Sequence, residues 1–122
     1  MIKLAFTLRR RSDLSREEFQ RYWREQHAAL VRGHAETLHI RRYVQLHTRE
    51  TAADEGLREH RSDEEPYDGI AELWFDSVED LMEAFGSDEG QAAAAELLED
   101  EERFVDLRRS PIWLGEENAV VG

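Results

Sequence analysis

At 122 residues, 40% of them hydrophobic, the chain suits one domain with a modest core and is too short for two. It has no cysteine, which excludes a disulfide framework, a thiolate nucleophile and cysteine-based zinc or iron–sulfur sites. Twenty-eight acidic residues against 16 basic ones give a formal charge of −12, which repels phosphate backbones and argues against nucleic acid or anionic lipid as a partner.

Every basic residue except Lys3 is arginine, a bias that base composition or adaptation to high salt would each produce. No stretch approaches the roughly 20 apolar residues that span a bilayer. The opening run Met1-Ile-Lys-Leu-Ala-Phe-Thr-Leu meets Arg9-Arg10-Arg11 with neither a leading basic region nor a small-residue cleavage site. The expectation is a cytoplasmic protein with no signal peptide and no membrane partner.

From Ile2 to Leu8, Ile2, Leu4, Phe6 and Leu8 alternate with Lys3, Ala5 and Thr7, the period of a strand with one buried face. Ser15 and Glu18 then form a capping box, and Leu14 stands where it can staple onto Phe19, so a helix is predicted from Arg16. At about 100° per residue, Phe19, Trp23, Gln26, His27, Leu30, Val31, His34 and Leu38 share one arc, with Glu17, Arg21, Arg24, Glu25 and Arg32 away from it. The helix is expected to reach Leu38, with Gly33 weakening its last turn.

Ile40 to His47 reads as a second strand, with Ile40, Arg42, Val44 and Leu46 on one face and Arg41, Tyr43, Gln45 and His47 on the other. Thr48 to Pro66 is charged and aperiodic, a long loop with a helical turn expected around Ala52 to His60. Gly69 to Phe75 is apolar on both sides of the pleat, as in a strand covered on both faces. Ser77 caps a second helix carrying Val78, Leu81, Met82 and Phe85, which pauses near Gly86. Further helix is predicted from Asp88 to Arg103, and a last strand from Arg108 to Glu117.

The order β-α-β-β-α-β predicts an α+β, ferredoxin-like fold: a four-stranded antiparallel sheet with both helices on one face. The bare face needs a cover, because Ile70, Glu72 and Trp74 stand opposite Ala71, Leu73 and Phe75. Pairing two sheets face to face in a homodimer is the simplest cover.

Several runs carry a resemblance to a known family. These are Met1 to Arg11, Leu14 to Leu30 with its Tyr22-Trp23-x-x-x-His27-x-x-Leu30 core, Arg42-Tyr43-Val44-Gln45, and Tyr67 to Phe75. Together they resemble the EthD family of dimeric α+β barrel proteins over nearly the whole chain. The loop from Thr48 to Pro66 departs most, so any loop-dependent substrate choice is not carried over. The resemblance implies a pocket between helices and sheet, with the helix histidine facing it. Relatives include a muconolactone isomerase, fungal polyketide-tailoring dehydratases and oxidases, and a protein associated with ether degradation.

His27, between Trp23 and Val31 on the buried arc, is the prime candidate for acid–base chemistry, since an imidazole near neutral pKa both takes and gives protons. The competing reading is a satisfied core histidine. Tyr43 is the second catalytic candidate, as a phenol orienting a carbonyl or acting as an acid. Trp23, Val31, His34, His47, Glu72 and Trp74 are candidates for contacting substrate, although aromatics at this spacing are usually core and Glu72 also reads as an ion-pair partner. The arginine pairs Arg9-Arg10, Arg41-Arg42 and Arg108-Arg109 are expected to pair with the abundant carboxylates rather than hold an acidic substrate.

His27, His34 and His39 match no metal-ligand spacing, and no glycine-rich phosphate loop is present. What the resemblance and His27 together imply is a cofactor-independent isomerase, dehydratase or oxidase acting on a small cyclic or aromatic metabolite. The alternatives are a haem- or oxygen-linked oxidoreductase and a non-catalytic dimer that binds a hydrophobic metabolite.

Overall fold

A computed structural model describes residues 1–122. The chain runs β1 (Ile2–Leu8), α1 (Arg16–Tyr22), a π-helical segment (Trp23–His27), α2 (Ala28–His34), β2 (Arg42–His47), a short α3 (Asp54–Arg58), β3 (Gly69–Phe75), α4 (Val78–Gly86), α5 (Asp88–Glu101), a 3-10 turn (Leu107–Arg109) and β4 (Ile112–Gly115). The four strands form one sheet in the order β2-β3-β1-β4, with every neighbouring pair antiparallel. This is the ferredoxin-like α+β fold. No helix is long and apolar enough to cross a membrane.

Register explains which side chains meet. Leu4 pairs with Leu73, Phe6 with Ala71, and Tyr43 with Leu73, and period-two alternation sends all of them to the helix-covered side. There Leu8, Phe19, Trp23, Ala71, Phe104 and Val105 form one buried cluster, and Val31, Leu38, Ile40, Phe75 and Ala93 a second. Fully burying each large apolar side chain contributes about 1.5–3 kcal/mol, so these two clusters hold the helices to the sheet.

The predicted start at Arg16 is realised by the capping box: the Glu18 N–H donates to Ser15 Oγ at 3.1 Å and the Ser15 N–H donates to Glu18 Oε1 at 2.9 Å. At the far end, α2 stops at His34, short of the expected Leu38, yet hydrogen-bonded turns carry the chain on. The Ile40 N–H reaches the Ala35 carbonyl and the His39 N–H the Glu36 carbonyl, the paired bonds of a Schellman cap with His39 in the left-handed position at φ 58°. That turn occupies Ile40, so β2 starts at Arg42 rather than at Ile40. The last strand is also shorter than expected, because the 3-10 turn at Leu107–Arg109 and Pro111 take up its predicted start. Pro111 has no N–H, but its carbonyl accepts both the N–H and the hydroxyl of Thr7 at 3.1 Å.

Candidate functional site

Phe19, Trp23, His27 and Val31 recur at a strict spacing of four, which drifts about 40° per step around a regular 3.6-residue helix. The π turn from Trp23 to His27 takes up part of that drift: the Ala28 N–H donates to the Trp23 carbonyl five residues back. Gln45 on β2 donates to the same carbonyl at 3.0 Å. Trp23 and His27 therefore both point into the protein, 1% and 5% exposed.

Asp100, near the end of α5, meets His27 there. His27 Nδ1 lies 2.7 Å from Asp100 Oδ2. A carboxylate only accepts, so Nδ1 carries the proton and Nε2 is left as a bare lone pair. The other Asp100 oxygen accepts from the Tyr22 hydroxyl at 2.6 Å and from Arg103 Nη1 at 2.9 Å. Burial pushes the Asp100 carboxyl up, but the hydrogen bonds from Tyr22, His27 and Arg103 outweigh it and hold it below its ordinary value. Burial also dominates at His27, lowering its pKa against the opposing pull of Asp100 and favouring the neutral ring. Phe104 packs on the imidazole with ring centroids 5.1 Å apart.

His27 opens onto a cavity of about 140 Å³ between the helices and the sheet. Trp23, Val31, Tyr43, Leu73, Leu97 and Phe104 are among its walls. Tyr43 accepts a hydrogen bond from Gln45 Nε2 at 2.9 Å, which leaves its own proton available, and burial raises its pKa.

Of the residues singled out from sequence, His27, Tyr43, Trp23 and Val31 converge on this cavity, and four others do not. His34 faces Glu96, 2.9 Å away on the surface. His47 stacks against Trp23 with centroids 4.5 Å apart and donates through Nε2 to Gln45 Oε1, outside the cavity lining. Glu72 and Trp74 stand on the opposite face of the sheet, because they alternate with Ala71, Leu73 and Phe75. Glu72 pairs with Lys3 at 3.2 Å. Trp74 lies beneath Lys3 and Arg42 and donates its indole N–H to Glu117 at 2.6 Å. The arginine expectation holds for part of the pairs: Arg10, with Arg16, binds the buried Asp68 and Arg41 binds Asp76, whereas Arg9 donates to the Glu65 and Pro66 carbonyls and Arg42 lies over the Trp74 ring.

Two site residues escape the sequence reading, Asp100 and Glu101. Glu101 lines the cavity with Oε2 3.9 Å from His27 Nε2, and burial beside the negative Asp100 raises its pKa to about 7. Both sit in the run Glu99-Asp100-Glu101-Glu102, which reads as a solvated acidic face. The available signal was the arc Ala93, Leu97, Asp100 and Phe104, whose spacing continues the buried stripe of α5 through a carboxylate.

The EthD domain model matches residues 11–108. No curated protein matches the chain. Among solved structures, an EthD family protein from Bacillus halodurans is similar at a TM-score of 0.64 and 21% identity, covering 97% of this chain and 99% of that one. A dimeric protein of unknown function and ferredoxin-like fold from Bacteroides fragilis superposes at a TM-score of 0.60 and 13% identity, covering 95% of both chains. A hydroxynitrile lyase from Passiflora edulis does so at a TM-score of 0.54 and 19% identity, covering 97% and 95%.

Proposed function

This chain belongs to the EthD family, and on that premise we propose that it is a cofactor-independent enzyme working by acid–base chemistry on a small cyclic or aromatic metabolite in the cytoplasm. One observation carries the proposal: a buried histidine, held by a carboxylate at Nδ1, turns its free Nε2 toward an apolar cavity. A neutral imidazole with its tautomer fixed in this way is ready to accept a proton, and Asp100 stabilises the imidazolium that results. Tyr43 assists by orienting a substrate oxygen through a hydrogen bond from its hydroxyl. The cavity volume is close to what one six-membered ring occupies, which supports a compact substrate. The hydroxynitrile lyase with this fold lends general support to lyase or isomerase chemistry on the scaffold.

A haem does not fit this site. The macrocycle is several times larger than the cavity, and the Glu101 carboxyl stands 3.9 Å from His27 Nε2, on the side where an iron would bind.

In this proposal the working unit is a homodimer of single-domain protomers, closed through the uncovered sheet faces. Leu46 and Trp113 are more than half exposed on that face, with Val44 and Ile70 half-buried beside them. The Bacteroides fragilis neighbour is described as dimeric.

Native mass spectrometry of the wild type and His27→Ala, each purified from a metabolite-rich lysate, tests the reading. The expected result is a dimer whose co-purified small molecule is lost or chemically changed in the variant. A ligand held equally by both proteins, with no turnover to lose, would favour the non-catalytic binding role.

A further inference from the structure

Glu101 has no part in the chemistry described above. Yet His27 and Glu101 are the only non-hydrophobic residues among the 19 that line the cavity. Consecutive residues of α5 thus approach the two ring nitrogens separately, Asp100 at Nδ1 and Glu101 at Nε2. Asp100 is tied down by Tyr22, His27 and Arg103. The Glu101 carboxyl has only His27 within ion-pair reach, at 3.9 Å. That distance is too long for a direct hydrogen bond and leaves both groups free to turn toward a molecule in the cavity. No lysine or arginine lines the space, so an anionic substrate would be buried without a counter-charge, at a cost of several kcal/mol.

Building on the acid–base reading of His27, we infer that Glu101 is the second proton carrier of this cavity and that the pair acts on an uncharged, single-ring carbonyl compound. In the forward step His27 Nε2 takes a proton from the carbon beside the carbonyl. The electron pair of that C–H bond becomes the carbon–carbon π bond, and the carbonyl oxygen takes the proton of the Glu101 carboxylic acid. An enol is formed with no change in composition. The imidazolium then loses its proton to solvent and the Glu101 carboxylate regains one from solvent, which restores the site without an added reactant and lets deuterium enter in D2O.

Cyclohexanone in D2O is a suitable probe, with deuterium entry beside the carbonyl followed by NMR for wild type, Glu101→Gln and His27→Ala. Wild type is expected to accelerate exchange over buffer, Glu101→Gln to lose at least about tenfold of that acceleration, and His27→Ala to lose all of it. The anionic analogue 4-oxocyclohexanecarboxylate is expected to exchange at least about tenfold more slowly than the ketone. Exchange in Glu101→Gln equal to wild type, with His27→Ala inactive, overturns the role of Glu101 and leaves the histidine reading standing. Wild-type rates in His27→Ala, or no acceleration by wild type, overturn both. Should Glu101→Gln fail to fold, Glu101→Asp takes its place: partial activity is expected, and full activity counts against a carboxyl whose reach matters.

Discussion

At the scale of single residues, the site is an argument about where protons sit. Neutralising Asp100 as Asn would replace an acceptor with an amide able to donate to Nδ1, which moves the ring proton to Nε2 and removes the base. Turnover of Asp100→Asn is expected to fall by about ten-thousandfold with little change in KM, as when a histidine-orienting carboxylate is neutralised elsewhere; steady-state kinetics reads this directly. Stability should also carry the signature of Glu101. Its pKa is raised from the ordinary 4.5 to about 7, so between those values the folded state binds more protons than the unfolded one. Its contribution is therefore complete below pH 4.5 and is lost as pH rises through 7, a change of about 3 kcal/mol. Denaturant midpoints measured across that range should show the decline in wild type and not in Glu101→Gln. His27 was legible in the sequence because it sits on an apolar arc. Asp100 and Glu101 were not, because carboxylates flank them on both sides and only the packing of α5 separates a buried and a half-buried acid from two solvated ones.

At the scale of elements, local chemistry predicted the starts of helices better than their ends. The Ser15 capping box and the alternation from Ile2 to Leu8 are signals carried by a few adjacent residues. The end of the first helix is a Schellman cap with a histidine at the position glycine usually fills, so the sequence held no glycine to mark it. The π turn was equally hidden: the carbonyl it turns on, that of Trp23, also accepts from Gln45 of β2, a partner 22 residues away. Where β3 begins, Gly69 lets that strand pass close under Trp23: an added Cβ would stand 2.4 Å from the indole and 2.7 Å from the Leu46 carbonyl. Gly69→Ala is expected to cost about 2–3 kcal/mol by overpacking and to displace the wall of the cavity, read as a lowered Tm together with altered tryptophan fluorescence. In α5, an added Cβ on Gly90 would fall 1.7 Å from the Ala84 carbonyl oxygen. The backbones of α4 and α5 therefore meet directly at Gly90, where no side chain could be accommodated.

At the scale of the whole molecule, the order of elements led directly to the ferredoxin-like sheet, and the two-sided pattern of β3 marked an open face. Alternation said which residues share a face but not which face holds the cavity. For that reason Glu72 and Trp74 were grouped with His27 although the sheet lies between them. A charge placed on the open face, as in Trp113→Glu, is expected to turn a dimer into a monomer in sedimentation velocity while leaving the fold intact by circular dichroism; an unchanged dimer would move the interface elsewhere. Everything proposed for the cavity rests on one microscopic state, a neutral His27 held by Asp100 with Nε2 bare. Long-range 1H–15N correlation spectra of His27, recorded across a pH titration, observe that state directly. The expected result is a proton on Nδ1 at neutral pH and a midpoint below the ordinary 6.5; a proton on Nε2, or an imidazolium persisting above pH 7, would contradict it.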